Sequence, residues 1–147
     1  METISGFEFP DERYYETSQH LWARPDAEHR IIVGIDRLGL EALGELAYVS
    51  LHAIGSRLAR GDAFGTLEAA KMTTDVSTPV SGLILDRNES VVRDPLLVGR
   101  DPYDKGWLVV IEPASWNSES AEFVSGPAIA HWAAAEVERY RTEGFID

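Results

Sequence analysis

Lys71 is the side chain of this sequence best suited to do chemistry. Short β-favouring runs flank it, and small residues precede it directly, in Phe64-Gly65-Thr66-Leu67-Glu68-Ala69-Ala70-Lys71-Met72-Thr73-Thr74-Asp75-Val76. A lysine at a tight turn between two strands projects from the fold while its backbone is held on both sides. Its amine can serve as a covalent handle that a modifying enzyme reaches, and the alternative is an ordinary solvated charge.

Other residue types that commonly do chemistry are absent or scattered. The chain has no cysteine, which excludes disulfides, thiolate nucleophiles and cysteine-based zinc sites. No Gly-x-Gly-x-x-Gly, P-loop or Gly-x-Ser-x-Gly pattern occurs, so neither nucleotide binding nor hydrolase chemistry is indicated. Four histidines lack the spacing of metal ligands, and no metal site is predicted: His20, His29, His52 and His131. We expect His20 to be a satisfied histidine near the hairpin surface.

The elements that must position Lys71 are short strands separated by Gly, Pro and Asp turns. Asp36 is suited to cap a short helix over 37–43, which Gly44 would end. After Pro79 a further strand contains Gly82, which marks a bulge or a close approach of two backbones. The strands are predicted at 19–23, 30–35, 46–51, between Gly55 and Gly61, on both sides of Lys71, at 80–85 and at 107–111.

The remaining segments frame this sheet structure. We expect residues 7–15 to wrap the surface and 91–100 to be loop with one helical turn. From Ser125 the pattern becomes that of an amphipathic helix that starts near Pro127, stops at Gly144 and docks on the sheets. Its apolar positions recur at helical spacing: Ile129, Trp132, Ala133, Val137 and Tyr140. The pattern predicts a mainly β fold, a compact sandwich or barrel with short helices and a C-terminal α-helix.

Composition limits the partners of the chain. At 147 residues it is most simply one domain, and its net charge of −12 argues against nucleic-acid binding. The charge favours basic partner surfaces, although a merely solvated acidic surface would look the same. No apolar run is long enough for a membrane span, and residues 1–6 lack the features of a signal peptide. We predict a soluble, cytoplasmic monomer.

Several landmarks, taken in order, resemble the H proteins of the glycine cleavage system, which are lipoyl carriers. Thr17-Ser18-Gln19-His20-Leu21-Trp22 is similar to the family's Thr-x-x-His-Glu-Trp. The segment from Gly65 to Lys71 parallels its Glu-Ser-x-Lys hairpin, with Glu68 in place and Ala69 where the family has serine. Further matches are Val33-Gly34-Ile35, Leu43-Gly44-Glu45, Asp75, Pro79, Ser81, Gly82, Asn88-Glu89 and Asp101-Pro102-Tyr103-Asp104-Lys105-Gly106-Trp107.

The resemblance implies a flattened β-barrel or sandwich of the biotinyl/lipoyl-carrier, barrel-sandwich hybrid type. A single domain 1–147 would have its core at about 15–112 and a helical extension at about 113–147. Lys71 would carry lipoate as an N6-lipoyllysine swinging arm, attached by a lipoate ligase or lipoyl transferase. Glu68 would guide that enzyme, and Gly65, Asp75 and Gly82 are the other hairpin and recognition positions.

The resemblance also implies partners and a role without catalysis. The arm would accept an aminomethyl group from glycine decarboxylase, deliver it to an aminomethyltransferase and be reoxidised by dihydrolipoamide dehydrogenase. The chain would be the carrier subunit of this system and not an enzyme.

Two departures from the family leave the pathway open. Leu21 stands where the family has the glutamate that helps to hold the cationic amine of the loaded arm, and Gly99 replaces an asparagine. Both ends of the chain, 6–10 and 115–146, resemble H-like lipoate-binding proteins, which work with a heterodisulfide-reductase-like complex in sulfur oxidation.

Two further alternatives use the same fold. Met72 after Lys71 is similar to the biotin-carrier tetrapeptide Ala-Met-Lys-Met, but Ala70 breaks that motif, so a biotin carrier ranks lower. An unmodified interaction module is disfavoured, because Glu68 and the acceptor lysine are present together.

Overall fold

The computed structural model describes residues 2–147, which form eleven β-strands and five α-helices. The strands are β1 Glu2–Ile4, β2 Phe7–Phe9, β3 Tyr14–Glu16, β4 Leu21–Pro25, β5 Ile31–Ile35, β6 Leu46–Leu51, β7 Arg57–Leu58, β8 Ala63–Ala69, β9 Thr73–Ser77, β10 Gly82–Arg87 and β11 Val109–Pro113. The helices are α1 Arg37–Leu43, α2 Glu89–Arg93, α3 Leu96–Arg100, α4 Trp116–Ser120 and α5 Ala128–Thr142. None of these helices is long and apolar enough to span a bilayer.

Two antiparallel sheets form the body of the molecule. The larger has the strand order β3-β4-β5-β11-β10-β7, and the smaller has the order β6-β8-β9, while β1 and β2 pair separately. The sheets stay open and do not close into a barrel. The prediction of a mainly β sandwich-like fold with short helices and a C-terminal helix is confirmed.

Apolar side chains from the two sheets pack into one buried cluster. On β8, Phe64 and Leu67 are fully buried, and Ile84 of β10 and Ile111 of β11 meet them from the other sheet. Each such side chain contributes roughly 1.5–3 kcal/mol when it leaves water. The hairpin that carries Lys71 is therefore fixed to the body through its own inward-facing residues.

The predicted caps of α1 are confirmed. The Asp36 side chain accepts a hydrogen bond from the backbone N–H of Gly39 at 2.9 Å. At the other end Gly44 adopts φ +84°, and its N–H donates to the carbonyl of Leu40. A positive φ ends the helix there and turns the chain into β6.

The C-terminal helix α5 docks on the outside of the six-stranded sheet region, as predicted. Ile129, Ala133, Val137 and Tyr140 are buried at helical spacing. They pack in a second cluster with Phe9, Tyr15, Trp22 and Leu38.

Five predicted elements were wrong in part. The strands expected at 80–85 and 107–111 are β10 and β11, and each starts two residues later than predicted. Residues 7–15 do not simply wrap the surface, since β2 lies there and pairs with β1, and β3 begins at Tyr14. The strand expected at 19–23 is β4 and starts two residues later, because His20 takes a positive φ of 60°. Residues 91–100 belong largely to two helices, of which α2 is capped by the Asn88 side chain.

Gly82 marks a close approach of two backbones, as its sequence context predicted. It has φ +155°, and a Cβ atom placed there would lie 2.0 Å from the carbonyl oxygen of Glu112 on the neighbouring strand. The irregular register of this strand pair lies further along, between Ile84 and Asp86. Gly82 thus serves the pairing of β10 with β11.

Candidate functional site: the Lys71 hairpin

Lys71 lies at the tip of the hairpin formed by β8 and β9. Glu68 pairs with Thr73, and the N–H of Ala69 donates to the carbonyl of Met72 at 2.8 Å. Ala70 and Lys71 are left as the two residues of the turn. The small alanines before the lysine leave its side chain uncrowded, and it is exposed to solvent.

The tip is bonded to the turn between α1 and β6. The N–H of Ala70 donates to the carbonyl of Glu45 at 2.9 Å, and the N–H of Lys71 donates to the carbonyl of Leu43 at 3.2 Å. The amine Nζ donates to the carbonyl of Glu41 at 3.1 Å. Within residues 2–147 no carboxylate forms an ion pair with this amine. The backbone of Lys71 is therefore held in place, while its amine stays accessible.

Gly44 lets the two segments approach closely. A Cβ atom at Gly44 would lie 3.3 Å from Cβ of Ala70 and 3.5 Å from Cγ of Lys71. Its positive φ also suits glycine better than any residue with a side chain. Neither Gly44 nor the carbonyls of α1 were predicted as parts of the site. The sequence indicated Gly44 only as the residue that ends α1, and not as a neighbour of Lys71.

An apolar groove of about 270 Å³ opens on one side of the tip. Met72 and Asp75 line its hairpin side, and the buried Leu21 contributes to its lining from β4. Tyr140 and Phe145 line it from the C-terminal segment. The contribution of these two aromatic residues was not predicted, because nothing local in the sequence connects residues 140–145 with the hairpin.

A wider, charged cleft of about 620 Å³ opens on the other side and contains Lys71 itself. Arg37, Glu41, Glu45 and Arg100 line it, together with apolar residues such as Leu96. The guanidinium of Arg37 donates to the carbonyl of Gly99 at 2.7 Å, which holds it in place. The two sides of the tip thus differ in chemistry: one is nearly neutral and the other is rich in charge.

The predicted hairpin residues are only partly brought together. Glu68 is exposed on β8 three residues before Lys71, and Asp75 is exposed on β9, where it accepts a hydrogen bond from the Thr66 hydroxyl at 2.9 Å. Gly65 lies toward the other end of β8, where a Cβ atom would meet the carbonyl oxygen of Ser50 at 2.4 Å. Gly82 lies in the other sheet. The two glycines serve strand packing and do not touch the amine.

His20 is buried and satisfied, but it lies beneath α5 and not at the hairpin surface. Its Nδ1 is 2.7 Å from Asp36 Oδ2 and its Nε2 is 2.8 Å from Glu136 Oε1. Burial alone lowers the pKa of His20, but the charge and hydrogen bond of Asp36 and the contact with Glu136 outweigh it and raise the pKa. The ring also stacks on Trp132. This cluster fastens the C-terminal helix to the start of α1.

The structure brings together no group of three metal-ligating side chains within residues 2–147. The four tryptophans take packing roles. Trp22 is buried, and its indole N–H donates to the carbonyl of Pro102 at 3.1 Å. Trp107, Trp116 and Trp132 are partly buried against the two apolar clusters.

A reachable lysine on the two-residue turn of a hairpin, in a body of two packed antiparallel sheets, is the arrangement of the biotinyl/lipoyl-carrier fold class. Comparison with known proteins narrows this class. The sequence profile of the family described as Glycine cleavage H-protein matches residues 13–135. The chain belongs to this family, and membership in it implies a lipoyl carrier.

Individual relatives agree with this assignment. A glycine cleavage system H protein of Gloeobacter violaceus is 34% identical over 140 residues, which cover 95% of this chain and 99% of that one. A second from Bacteroides thetaiotaomicron is 38% identical over 106 residues, covering 72% and 82% of the two chains. The crystal structure of a glycine cleavage system H protein from Mycobacterium marinum superposes with a TM-score of 0.71 at 30% identity, covering 87% of this chain and 98% of that one.

Proposed function

We propose that Lys71 carries lipoate through an amide on Nζ and that the arm shuttles aminomethyl groups between enzymes of glycine cleavage. The observation that carries this proposal is the reachable Lys71 amine on a fixed turn in a chain of the H-protein family. The chain would act as a carrier subunit, with the chemistry of transfer done by its partners.

The residues around Lys71 fit an acylated lysine. The amine has one hydrogen bond, to a backbone carbonyl, and no ion pair must be broken to free it. The groove beside Met72 offers apolar surface to an acyl chain once acylation has removed the charge. When bound, lipoate supplies a dithiol–disulfide pair that carries cargo and electrons. The chain itself has no cysteine that could compete in thiol exchange.

Attachment requires a lipoate ligase or lipoyl transferase, because a carboxylate does not acylate an amine unaided. The acyl group arrives activated, for example as an adenylate made from lipoate and ATP with release of pyrophosphate. The Lys71 nitrogen, with its proton removed, attacks the acyl carbon; the new C–N bond forms and AMP leaves. Only a neutral amine has the lone pair that attacks the acyl carbon, so the modifying enzyme must supply a base that takes the proton.

The partners follow from the proposed role. They are glycine decarboxylase, which would load the arm, an aminomethyltransferase, which would unload it, and dihydrolipoamide dehydrogenase, which would reoxidise it. A cytoplasmic location, a monomeric state and a single domain spanning residues 1–147 stay predictions.

The lining of the groove favours a second candidate, an H-like lipoate-binding protein that serves a heterodisulfide-reductase-like complex in sulfur oxidation. Leu21 is only 1% exposed and supplies aliphatic surface where the family's glutamate would pair with an ammonium. A cationic amine beside it would lose solvation without compensation. Asp75 is the only acidic side chain among the residues that line the groove, and it already accepts from Thr66. Glycine cleavage remains the first candidate because the family and the relatives bear that name.

The attachment is tested by intact mass. Protein from cells with active lipoylation should carry one lipoyl group, and Lys71→Arg should carry none, whereas Lys105→Arg should be modified like wild type. A biotinyl increment would support the lower-ranked biotin carrier. An unmodified chain despite a competent ligase would overturn the proposal.

The pathway is tested with the lipoylated protein. Incubation with a glycine decarboxylase, its pyridoxal phosphate and labelled glycine should place label on the lipoylated chain and not on Lys71→Arg. If a decarboxylase from the same organism transfers no label, the sulfur-oxidation candidate replaces the first.

A further inference from the structure

Large apolar side chains are exposed mainly around Lys71. The described residues contain five such side chains that are more than two-fifths exposed: Tyr48, Ile54, Met72, Leu96 and Phe145. Single exposed apolar residues are normal on a protein surface and need no explanation. Four of these five, however, lie around one lysine, and that distribution calls for a cause.

Each of the four has its own connection to the tip. Met72 follows Lys71 directly, and Phe145 lines the apolar groove together with Met72. Tyr48 is paired across β6 and β8 with Glu68, three residues before the lysine.

Leu96 completes the set from the opposite side, since it lines the same cleft as Lys71. The four side chains come from β6, the hairpin turn, α3 and the segment after α5. We call them the tip ring: Tyr48, Met72, Leu96 and Phe145. Because they come from four separate segments, no local feature of the sequence accounts for their gathering.

Acidic groups accompany the tip ring. Glu41 on α1, Glu45 in the turn after it, and Glu68 and Asp75 on the hairpin strands are exposed, while Arg37 and Arg100 line the cleft. Counting these six groups, four negative and two positive charges leave −2 around an acylated lysine. A partner that covers the tip therefore meets apolar side chains close to the amine and a net negative rim around them.

We propose that the tip ring is the docking surface for the enzyme that acylates Lys71, and that the mouth of its active site is apolar with a basic rim. This inference rests on the proposed function. Amide formation brings the acyl carbon to bonding distance of Nζ, and that nitrogen lies against the carbonyl of Glu41. An enzyme that reaches it must cover the tip and exclude water there, which places apolar surface on apolar surface.

The apolar part is tested by three single variants, Tyr48→Ser, Leu96→Ser and Phe145→Ser, with Ile54→Ser as the matched control. Ile54 is 59% exposed, so its replacement removes a similar apolar surface. It follows the end of β6 that pairs with Gly65, whereas the other end pairs with Ala69 beside the tip. All four positions are exposed, and circular dichroism and thermal unfolding establish that each variant is folded.

The measurement is the transfer of lipoate to the unmodified chain by a lipoate ligase with lipoate and ATP, followed by intact mass over a series of chain concentrations. We expect kcat/KM to fall about five- to tenfold in each ring variant, mainly through KM, and to stay within twofold of wild type in Ile54→Ser. Binding of ligase to Lys71→Arg, with and without Leu96→Ser, gives a readout that needs no acylation and should show the same loss.

The charged part is tested in the same assay at 20 and 300 mM salt. Glu45→Gln combined with Glu68→Gln should lower kcat/KM and flatten its salt dependence, whereas the distant Glu112→Gln should do neither. Unchanged kcat/KM in all three ring variants, with unchanged binding in Leu96→Ser, would overturn the docking surface while leaving acylation of Lys71 intact. Failure of the wild-type chain to accept lipoate would overturn the proposed function, and this inference with it.

Discussion

The imidazole of His20 and the carboxylate of Asp36 form a fully buried pair, with Nδ1 2.7 Å from Oδ2. Because the other carboxylate oxygen caps α1 at Gly39, the pair fixes the start of that helix. The end of the same short helix supplies the carbonyls that hold the lysine tip. On the far side of the ring, Glu136 connects the pair to α5. The C-terminal helix and the Lys71 tip are thus linked through one histidine.

Replacing this histidine should destabilise the protein. His20→Asn keeps a residue that tolerates the positive φ of 60° but leaves the buried Asp36 carboxylate without its partner. We expect the free energy of unfolding to fall by about 2–4 kcal/mol. Urea unfolding measures it, with the exposed His131→Asn as a control that should stay within about 0.5 kcal/mol of wild type.

The same cluster should make stability depend on pH. The pKa of His20 is raised above its ordinary value of 6.5, so its contribution is complete below 6.5 and is lost as the pH rises through the folded value. The hydrogen bond from Arg139, aided by His20, lowers the pKa of Glu136. The stability that Glu136 contributes is therefore lost only when the pH falls into the acid range. Burial raises the pKa of Asp36 as well, and the stability from that shift is likewise lost as the pH rises. Stability should therefore decline as the pH rises above 6.5 into the alkaline range, and His20→Asn should remove the part of this decline that belongs to the imidazole. An equal slope in both proteins would contradict the assignment.

Gly44→Ala should disturb the lysine tip. The substitution forces a side chain into a positive φ at a cost of about 1–2 kcal/mol and presses on Ala70 and Lys71. Gly55→Ala is the matched control, because Gly55 has φ +92° and open space around it. Both variants should lose similar stability, but only Gly44→Ala should slow lipoylation. Equal lipoylation rates would show that the contact between Gly44 and the tip does not position the lysine.

Gly82→Ala should be among the most destabilising single changes in the sheet. Its Cβ would collide with the carbonyl of Glu112, so β10 and β11 would have to separate. We expect a loss of about 3 kcal/mol or more. Gly99→Ala, in α3 with nothing within 4 Å, should instead gain about 0.5–1 kcal/mol. Thermal unfolding of both variants checks the contrast.

Leu21→Glu should lengthen the time for which the loaded arm retains its aminomethyl cargo. A carboxylate at this buried position adds a second negative charge to the groove beside Asp75, at a cost in stability of about 2–4 kcal/mol. On the lipoylated chain we expect the aminomethyl cargo to be retained longer than in wild type, measured by release of labelled formaldehyde over time. Leu21→Gln separates charge from size, and equal retention in the two variants would exclude an electrostatic role.

Local signals in the sequence were sufficient for several elements. Asp36 and Gly44 marked the ends of α1 through capping chemistry, and the run from Leu46 to Leu51 is a strand with the predicted bounds. The hairpin around Lys71 was predicted from the β-branched residues that follow it and the small residues directly before it. These features depend on neighbours within a few residues, so composition and spacing report them.

Contacts between distant segments could not be predicted in this way. Glu136 meets His20 across 116 positions of sequence, and β11 inserts between β5 and β10 by long-range pairing. Phe145 reaches the groove only because α5 docks where it does. The tip ring, for the same reason, is visible only once the chain has folded.

The bonds from the hairpin tip to the carbonyls of Glu41, Leu43 and Glu45 mean that the position of Lys71 depends on the folded chain and not on the hairpin sequence alone. A synthetic peptide copying residues 63–77 would contain the lysine and both strands, yet it would lack every one of those three acceptors. We expect such a peptide to be a poor acceptor of lipoate, so the hairpin cannot be transplanted as a short tag without α1 and the turn that follows it.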